Sequence, residues 1–393
     1  MSQALYPGST IGLIGLNRNC RSLIRAVRNL GMRVALYLQS PNQLVSKLAD
    51  VTFIGSFNDK DKLHEFGEAC DAIVYQTPTI DSAVIEYLNH YAAVPQGKDA
   101  IEIVQDRLME RAFLTQINAN IAPYVTVVSL DDVYSEIDSI GYPALLKPIQ
   151  RGLGEASMKI TKQSDIARAA DFIDTGTYLL ESWIDHTREF SLAAAVDAHG
   201  MVMFPLAEQR YDDARRLVEV QTPASVDDDL QQEMERIVKT VAGSLHYHGV
   251  VSVHFYLTDT GALYVKGIEP GIAAAGDIFH YVTGISEADQ LIRTAVGMPI
   301  HQVKALQSGL MMVLRNDQFD VIKRQWLLKD NWQYELLQDD YQSPAAIRGL
   351  VYVTGDNLVD LNHQVVDTEV WNDQLGDVTD DAGDTDGDQP LEP

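Results

Sequence analysis

Apolar residues in the first hundred positions come in short blocks separated by stretches of helical period. STIGLIGL reads as a buried strand, then comes a helix to about Leu30, and MRVALYL reads as a second strand. VTFIG, DAIVYQT and AAVP continue the series, with helical segments between them. Such alternation predicts a parallel sheet covered by helices, because each parallel connection has to cross over the sheet. The first strand-to-helix turn, Gly15-Leu16-Asn17-Arg18-Asn19-Cys20, lacks the further glycines of a dinucleotide fingerprint. Gly15 therefore reads as a tight-turn residue, and Asp71 and Pro78 as punctuation around a strand.

Residues 99–118 read as one helix, charged at its start and then apolar at Ile103, Val104, Leu108, Phe113 and Leu114, with Arg107 along it. From Ala122 short strands and helices alternate again. A helix over about 227–245 is followed by GVVSVHFYL and ALYVKGI, joined at Asp259-Thr260-Gly261, a hairpin signal. Residues 286–296 are helical and close at Gly297-Met298-Pro299. From about Ser308 the pattern changes to short strands, GLMMVLR, WQYELL and RGLVYVTG, which predict a small β-rich module. Residues 372–393 are dominated by Asp and Gly, so a disordered, solvated tail is expected there. Asp384-Thr385-Asp386-Gly387-Asp388 resembles a calcium loop in composition only, lacking the closing Glu and flanking helices.

Composition narrows the classes of function. The 393 residues are enough for two or three domains with real cores. No apolar run approaches the ~20 residues of a membrane span. The start, MSQALYPGST, has no basic region before an apolar core, so no signal peptide is expected. Two cysteines, Cys20 and Cys70, in so long a chain argue for a reducing, cytoplasmic setting. A net charge of −26 argues against nucleic acid and anionic membrane as partners.

The candidate chemistry lies in residues 141–191. An apolar run, 143–146, ends on Lys147, and a loop with Gly152 and Gly154 follows. A second apolar strand runs into Glu181-Ser182-Trp183-Ile184, and Glu189 lies eight residues beyond Glu181. A strand that delivers a cation, a loop of backbone donors and a strand edge with two carboxylates suit a triphosphate and an adenosine. The alternative is an ordinary surface hairpin with a strand-end lysine.

These residues, in this order, resemble the ATP-grasp superfamily, and within it the 5-(carboxyamino)imidazole ribonucleotide synthases of purine biosynthesis. The resemblance reaches to Trp371 and is carried by Gln105-Asp106-Arg107, Ile121-Ala122-Pro123, Gly141-Tyr142-Pro143-Ala144 to Lys147, Glu181-Ser182-Trp183-Ile184, Arg188-Glu189-Phe190-Ser191, residues 205–208, Gly249-Val250-Val251 and VYVTGD. It implies an α/β and α+β fold: a Rossmann-like pre-ATP-grasp domain over 1–102, an ATP-grasp nucleotide-binding domain over 103–303, a small β-rich C-terminal domain over 304–371, and the acidic tail over 372–393. By resemblance Arg107 and Lys147 contact nucleotide phosphates, beneath a covering loop that keeps Gly152 and Gly154. Glu181 is the adenine-side carboxylate, Ile184 a backbone contact to the base, and Glu189 the ribose carboxylate. The family reaction makes an acyl phosphate from bicarbonate and ATP, with Mg2+, and passes the carboxylate to an aminoimidazole ribonucleotide. Dimers are usual in that family.

The catalytic half departs from the pattern. The two glutamates that would hold the metal are His254 and Gly267, and a glycine offers no ligand. Glu269, two residues on, points to the same strand face as Gly267 and is the candidate compensating ligand, with His254 beside it; the alternative is a Glu269 that merely ends a strand before Pro270. The expected arginine is Gly271, a polar stretch has become Ile272-Ala273-Ala274-Ala275, a carboxylate after Tyr75 is Gln76, and the C-terminal basic cluster is reduced to Arg348. Two functions follow as expectations: an ATP-dependent carboxylate–amine ligase, or a pseudoenzyme that binds nucleotide as a sensor or partner subunit.

Overall fold

The structure is a computed structural model that describes residues 4–16, 20–76, 80–151, 157–173, 176–245, 247–337 and 346–371. Asn17, Arg18, Asn19, Pro78, Gly152, Gly154 and the acidic tail lie outside the described residues.

The first sheet is parallel, in the order β3-β2-β1-β4, with β1 Thr10–Ile14, β2 Arg33–Leu38, β3 Val51–Ile54 and β4 Ala72–Tyr75. Ile11, Leu13, Val34, Leu36 and Ile73 are fully buried, as continuous apolar strands covered on both faces must be. The AAVP stretch, expected as a strand, contributes only one parallel bridge, between Ala93 and Ala72. Cys20 and Cys70 are buried free thiols.

A second, antiparallel sheet has the order β5-β8-β6-β7, with β5 Tyr124–Val127, β6 Ala144–Pro148, β7 Met158–Ile160 and β8 Tyr178–Ser182. The helix Leu130–Ile140 begins at a Ser129–Asp132 capping box and packs on it. Val133, Ile137, Leu146, Ile160, Ile166 and Leu180 form a core of their own, separate from the other apolar clusters.

The largest sheet joins β9 Arg188–Asp197, β10 Gly200–Met203, β11 Ala207–Tyr211, β12 Leu217–Thr222, β13 Gly249–Leu257 and β14 Leu263–Pro270 to β15 Ser308–Arg315, β16 Trp332–Leu336 and β17 Ile347–Gly355. The β13–β14 hairpin turns where expected, with the Gly261 amide donating to the Thr258 carbonyl at a φ of +81°. The C-terminal strands do not close into a sheet of their own. They extend the large sheet through β12 against β15, and the helices Phe319–Leu328 and Leu358–Val366 accompany them.

The helix expected over 99–118 is two helices, Asp99–Gln105 and Arg107–Gln116. Asp106 takes extended dihedrals and its carboxylate accepts the Leu108 and Met109 amides, so a new N-cap forms inside an otherwise helical pattern. The break places Arg107 at the first position of the second helix. Its amide donates to the Ile149 carbonyl, and the Arg151 amide to the Gln105 carbonyl. No helix among the described residues is long and apolar enough to cross a membrane.

Candidate nucleotide site

The two antiparallel sheets face one another across a cleft. The small sheet contributes Lys147 on β6 and Glu181 on β8, which lie close because Leu145 and Glu181 are register partners. Lys147 Nζ donates to Glu181 Oε2 at 2.7 Å, and Arg111 donates through Nε to Glu181 Oε1 at 2.9 Å. Burial opposes the Glu181 charge, but the Arg111 and Lys147 cations outweigh it and hold its pKa below the ordinary carboxylate value. The same burial lowers the Lys147 pKa, with Glu181 working against that trend. Arg107, from the helix break, donates to the Pro148 carbonyl at 2.6 Å, and burial followed by the Arg151 charge lowers its pKa.

From the large sheet, β9 supplies Glu189. Burial would raise its pKa, but a hydrogen bond from His186 and the Lys266 and Arg215 charges bring it down to about 2. His186 Nε2 and Lys266 Nζ reach the carboxylate at 2.8 and 2.9 Å, and Arg215 joins them. The Ile184 carbonyl accepts from His186 Nδ1 at 2.8 Å, so this imidazole ties the connecting segment to the second carboxylate. His186 also stacks on Tyr256, with ring centroids 4.0 Å apart.

Between these charged groups lie Leu145, Trp183, Ile184, Tyr256, Tyr264 and Val265, which line a narrow slot. The space left there is about 40 Å³, because the side chains bridge the cleft. A larger cavity, about 480 Å³, lies elsewhere, between the helix Cys20–Asn29 and β16 and β17, with Arg21, Arg25, Asp277 and Glu335 on its wall. The smaller one has cations and the Glu181 carboxylate on its wall, with Glu189 held behind it by His186 and Lys266, a chemistry that suits a nucleotide.

A divalent cation on the β13–β14 face was an expectation, with Glu269 and His254 as ligands. The two residues are adjacent, but His254 Nε2 already donates to Glu269 Oε2 at 2.9 Å. His254 stands opposite Gly267 in the register, where a bulge at Lys266 interrupts the pairing. A Cβ placed on Gly267 would lie 3.1 Å from Glu110 Oε1 and 3.5 Å from Arg151 Nη2. No group of three or more His, Cys, Asp or Glu able to hold a metal occurs among the described residues. One carboxylate, Glu269, already engaged by an imidazole, is a poor donor set for magnesium, which is usually held by one or two free carboxylates together with waters and phosphates.

On the acceptor side, Gln76 fills the space over Gly271, 3.1 Å from where a Cβ would lie. Ile272, Ala273 and Ala275 are buried. Glu287 is buried behind them, accepts the Ala273 amide at 3.0 Å, and is driven well above the ordinary carboxylate pKa by burial.

Sequence reading missed Arg111, Lys266, Arg215 and His186 as members of the site. Arg111 carried a usable signal, since it lies four residues after Arg107 and so shares its helix face. Arg215 sits in a turn 26 positions from its partner Glu189, and no local pattern announces it.

Comparison with known proteins supplies the remaining findings. Residues 9–105 match the ribonucleotide synthetase preATP-grasp domain, and residues 112–278 match the ATP-grasp domain. The N5-carboxyaminoimidazole ribonucleotide synthase of Bacillus subtilis is 27% identical over 326 residues, covering 82% of this chain and 85% of that protein. The synthase of Staphylococcus saprophyticus is 26% identical over 332 residues, covering 84% and 88%. Among solved structures, the ADP complex of an N5-carboxyaminoimidazole ribonucleotide synthetase superposes with a TM-score of 0.88 at 22% identity, covering 96% of this chain and all of the other. The Aspergillus clavatus synthase in complex with ADP and 5-aminoimidazole ribonucleotide gives 0.83 at 17% identity, covering 93% and 99%. At these identities the superpositions speak to the fold.

Proposed function

The chain carries a ribonucleotide synthetase pre-ATP-grasp domain followed by an ATP-grasp domain, and on that premise we propose that it is an ATP-binding protein of the carboxylate–amine ligase type. The observation that carries this reading is Glu181 held between Lys147 and Arg111 on a slot that is also lined by His186 and Lys266, the two residues that hold Glu189. Cations paired to a buried carboxylate are exchangeable: an incoming phosphate takes over Lys147 and Arg111, and Glu181 turns its oxygens to the base. Glu189, already ionised by His186, Lys266 and Arg215, is the acceptor for ribose hydroxyls. Ile184 offers its backbone to the base, and Arg107, Gly152 and Gly154 flank the phosphates.

By kinship with the synthases the reaction is formation of an acyl phosphate from bicarbonate and ATP and transfer of the carboxylate to an aminoimidazole ribonucleotide. The same kinship implies domains bounded near 102 and 303, a homodimer and a cytoplasmic setting, and sedimentation equilibrium tests the dimer. Calorimetry with ATP tests the site. Phosphate release with ATP, bicarbonate and aminoimidazole ribonucleotide tests the reaction, with roughly 1–1000 turnovers per second as the ordinary enzymatic range.

A second reading, a nucleotide-binding relative without turnover, is favoured by two observations. Gly267 carries no ligand, and Gln76 occupies the volume over Gly271. ATP binding without phosphate release is its expected outcome.

A further inference from the structure

We propose that this chain holds a nucleoside triphosphate without a divalent cation, the Arg151 guanidinium supplying the positive charge that a metal ion would otherwise bring to the outer phosphates. The inference rests on the nucleotide reading above and concerns only how the phosphates are neutralised.

The strand pair that faces the cleft places Gly267 opposite His254. The space a side chain at 267 would enter is filled by an ion pair, Arg151 Nη2 on Glu110 Oε2 at 2.7 Å. Glu110 is fully buried, and its other oxygen accepts the Ile268 amide at 2.7 Å. It is therefore a helix residue fixed against β14, with both oxygens engaged, and it aims Arg151 at one place. A divalent ion beside Gly267 would sit against Arg151, with Arg111 Nη1 only 3.9 Å from the same carboxylate oxygen. Like charges that close repel strongly in a partly buried site.

The arginines have donors to spare. Arg151 Nε and Arg111 Nη1 are buried without a hydrogen-bond partner among the described residues. Arg111 as a whole is 5% exposed, so its unspent donor cannot be satisfied by bulk water. A phosphate presents several acceptor oxygens, and a guanidinium matches them two at a time with a charge that does not titrate away. Arg151 is also fixed at its backbone, its amide donating to the Gln105 carbonyl at the helix break that carries Arg107. The loop base, the helix break and the vacant strand position thus converge on one permanent cation where the ordinary design uses a mobile one.

Calorimetry with the full chain decides it, with ATP titrated once in excess EDTA and once in excess magnesium. The expected result is affinities within about threefold of each other. Arg151→Ala, checked for an unchanged melting curve, is expected to weaken ATP binding in EDTA by about tenfold or more, with Arg151→Lys restoring part of it. Binding at least about tenfold tighter with magnesium overturns the inference while leaving the nucleotide site intact. Unchanged affinity of Arg151→Ala in EDTA overturns it as well. No heat in either buffer removes the nucleotide reading itself and this inference with it.

Discussion

Gln76 and Ile272 are bound to each other twice: the Gln76 amide nitrogen donates to the Ile272 carbonyl at 2.7 Å, and its oxygen accepts the Ile272 amide at 3.2 Å. The side chain is 3% exposed and ties the end of the parallel sheet to the segment after β14. Two of the departures from the synthase pattern, Gln76 and Gly271, are therefore one structural change. Gly271 has a φ of +98°, and a side chain there would meet both its own strain and the Gln76 amide. Gln76→Ala removes both of its hydrogen bonds to the buried Ile272 backbone and should cost about 1–3 kcal/mol. The denaturant midpoint measures this, with an unchanged slope as the sign of an intact fold.

Lys147→Ala should weaken ATP binding by about 1–3 kcal/mol, the worth of a charge-assisted contact. Arg111 remains to neutralise Glu181 in the variant, so the loss belongs to the ligand and not to an abandoned buried anion. Calorimetry against a matched melting curve separates the two, and an unchanged affinity would remove Lys147 from the site.

Glu189 sets an acid limit. Its folded pKa, about 2, lies below the ordinary glutamate value of 4.5, so its ionisation stabilises the fold fully above pH 4.5. That contribution is lost as pH falls from there through about 2. Glu189→Gln should flatten this part of the stability profile, as read from urea midpoints at a series of acid pH values.

Glu287 acts in the opposite sense. A carboxyl whose folded pKa is raised favours the fold while protonated, and the advantage drains away as pH rises from the unfolded value through the folded one. Glu287→Gln keeps the shape and removes the ionisation. The variant should gain melting temperature relative to the natural chain, and the gain should grow as pH rises above the ordinary glutamate range. A gain independent of pH would show that Glu287 does not titrate in this way.

Gly267→Glu tests the crowding beside β14. The new Cβ would sit 3.1 Å from Glu110 Oε1, and its carboxylate would compete for Arg151. A loss of about 1–3 kcal/mol is expected from overpacking, before any like-charge repulsion. Adding Glu110→Gln should recover part of it. Together with His254→Glu, the change should also make ATP binding depend more steeply on magnesium.

Much of this architecture was legible in residue order alone. The parallel sheet, the Asp259-Thr260-Gly261 hairpin and the capped helix Glu287–Ala295 follow local patterns that nothing overrides. The convergence of Lys147 with Glu181 follows from two strands whose spacing fits. Other features depend on distance in the chain. Asp106 reads as one polar residue within a helical period, and only its partners reveal a cap. The Arg151–Glu110 pair joins residues 41 apart, and Glu110 meets Ile268 across 158 positions. Such pairs leave no trace in periodicity. The C-terminal strands read as a separate module because strand spacing says nothing about which sheet they join.

The separate core beneath the small sheet has a dynamic consequence. Val133, Ile137, Leu146 and Leu180 are sealed among themselves, so this lobe can swing as one piece without exposing the apolar interior of its neighbours. Lys147 and Glu181 would ride with it, while Glu189 and Lys266 stay with the other wall. The gap between the two carboxylates is then the lobe's stroke, and Arg111, paired to Glu181 and hydrogen-bonded to the Lys266 carbonyl, is its latch. Amide exchange should report this as a shared opening of β5 to β8, slowed together when nucleotide bridges the walls.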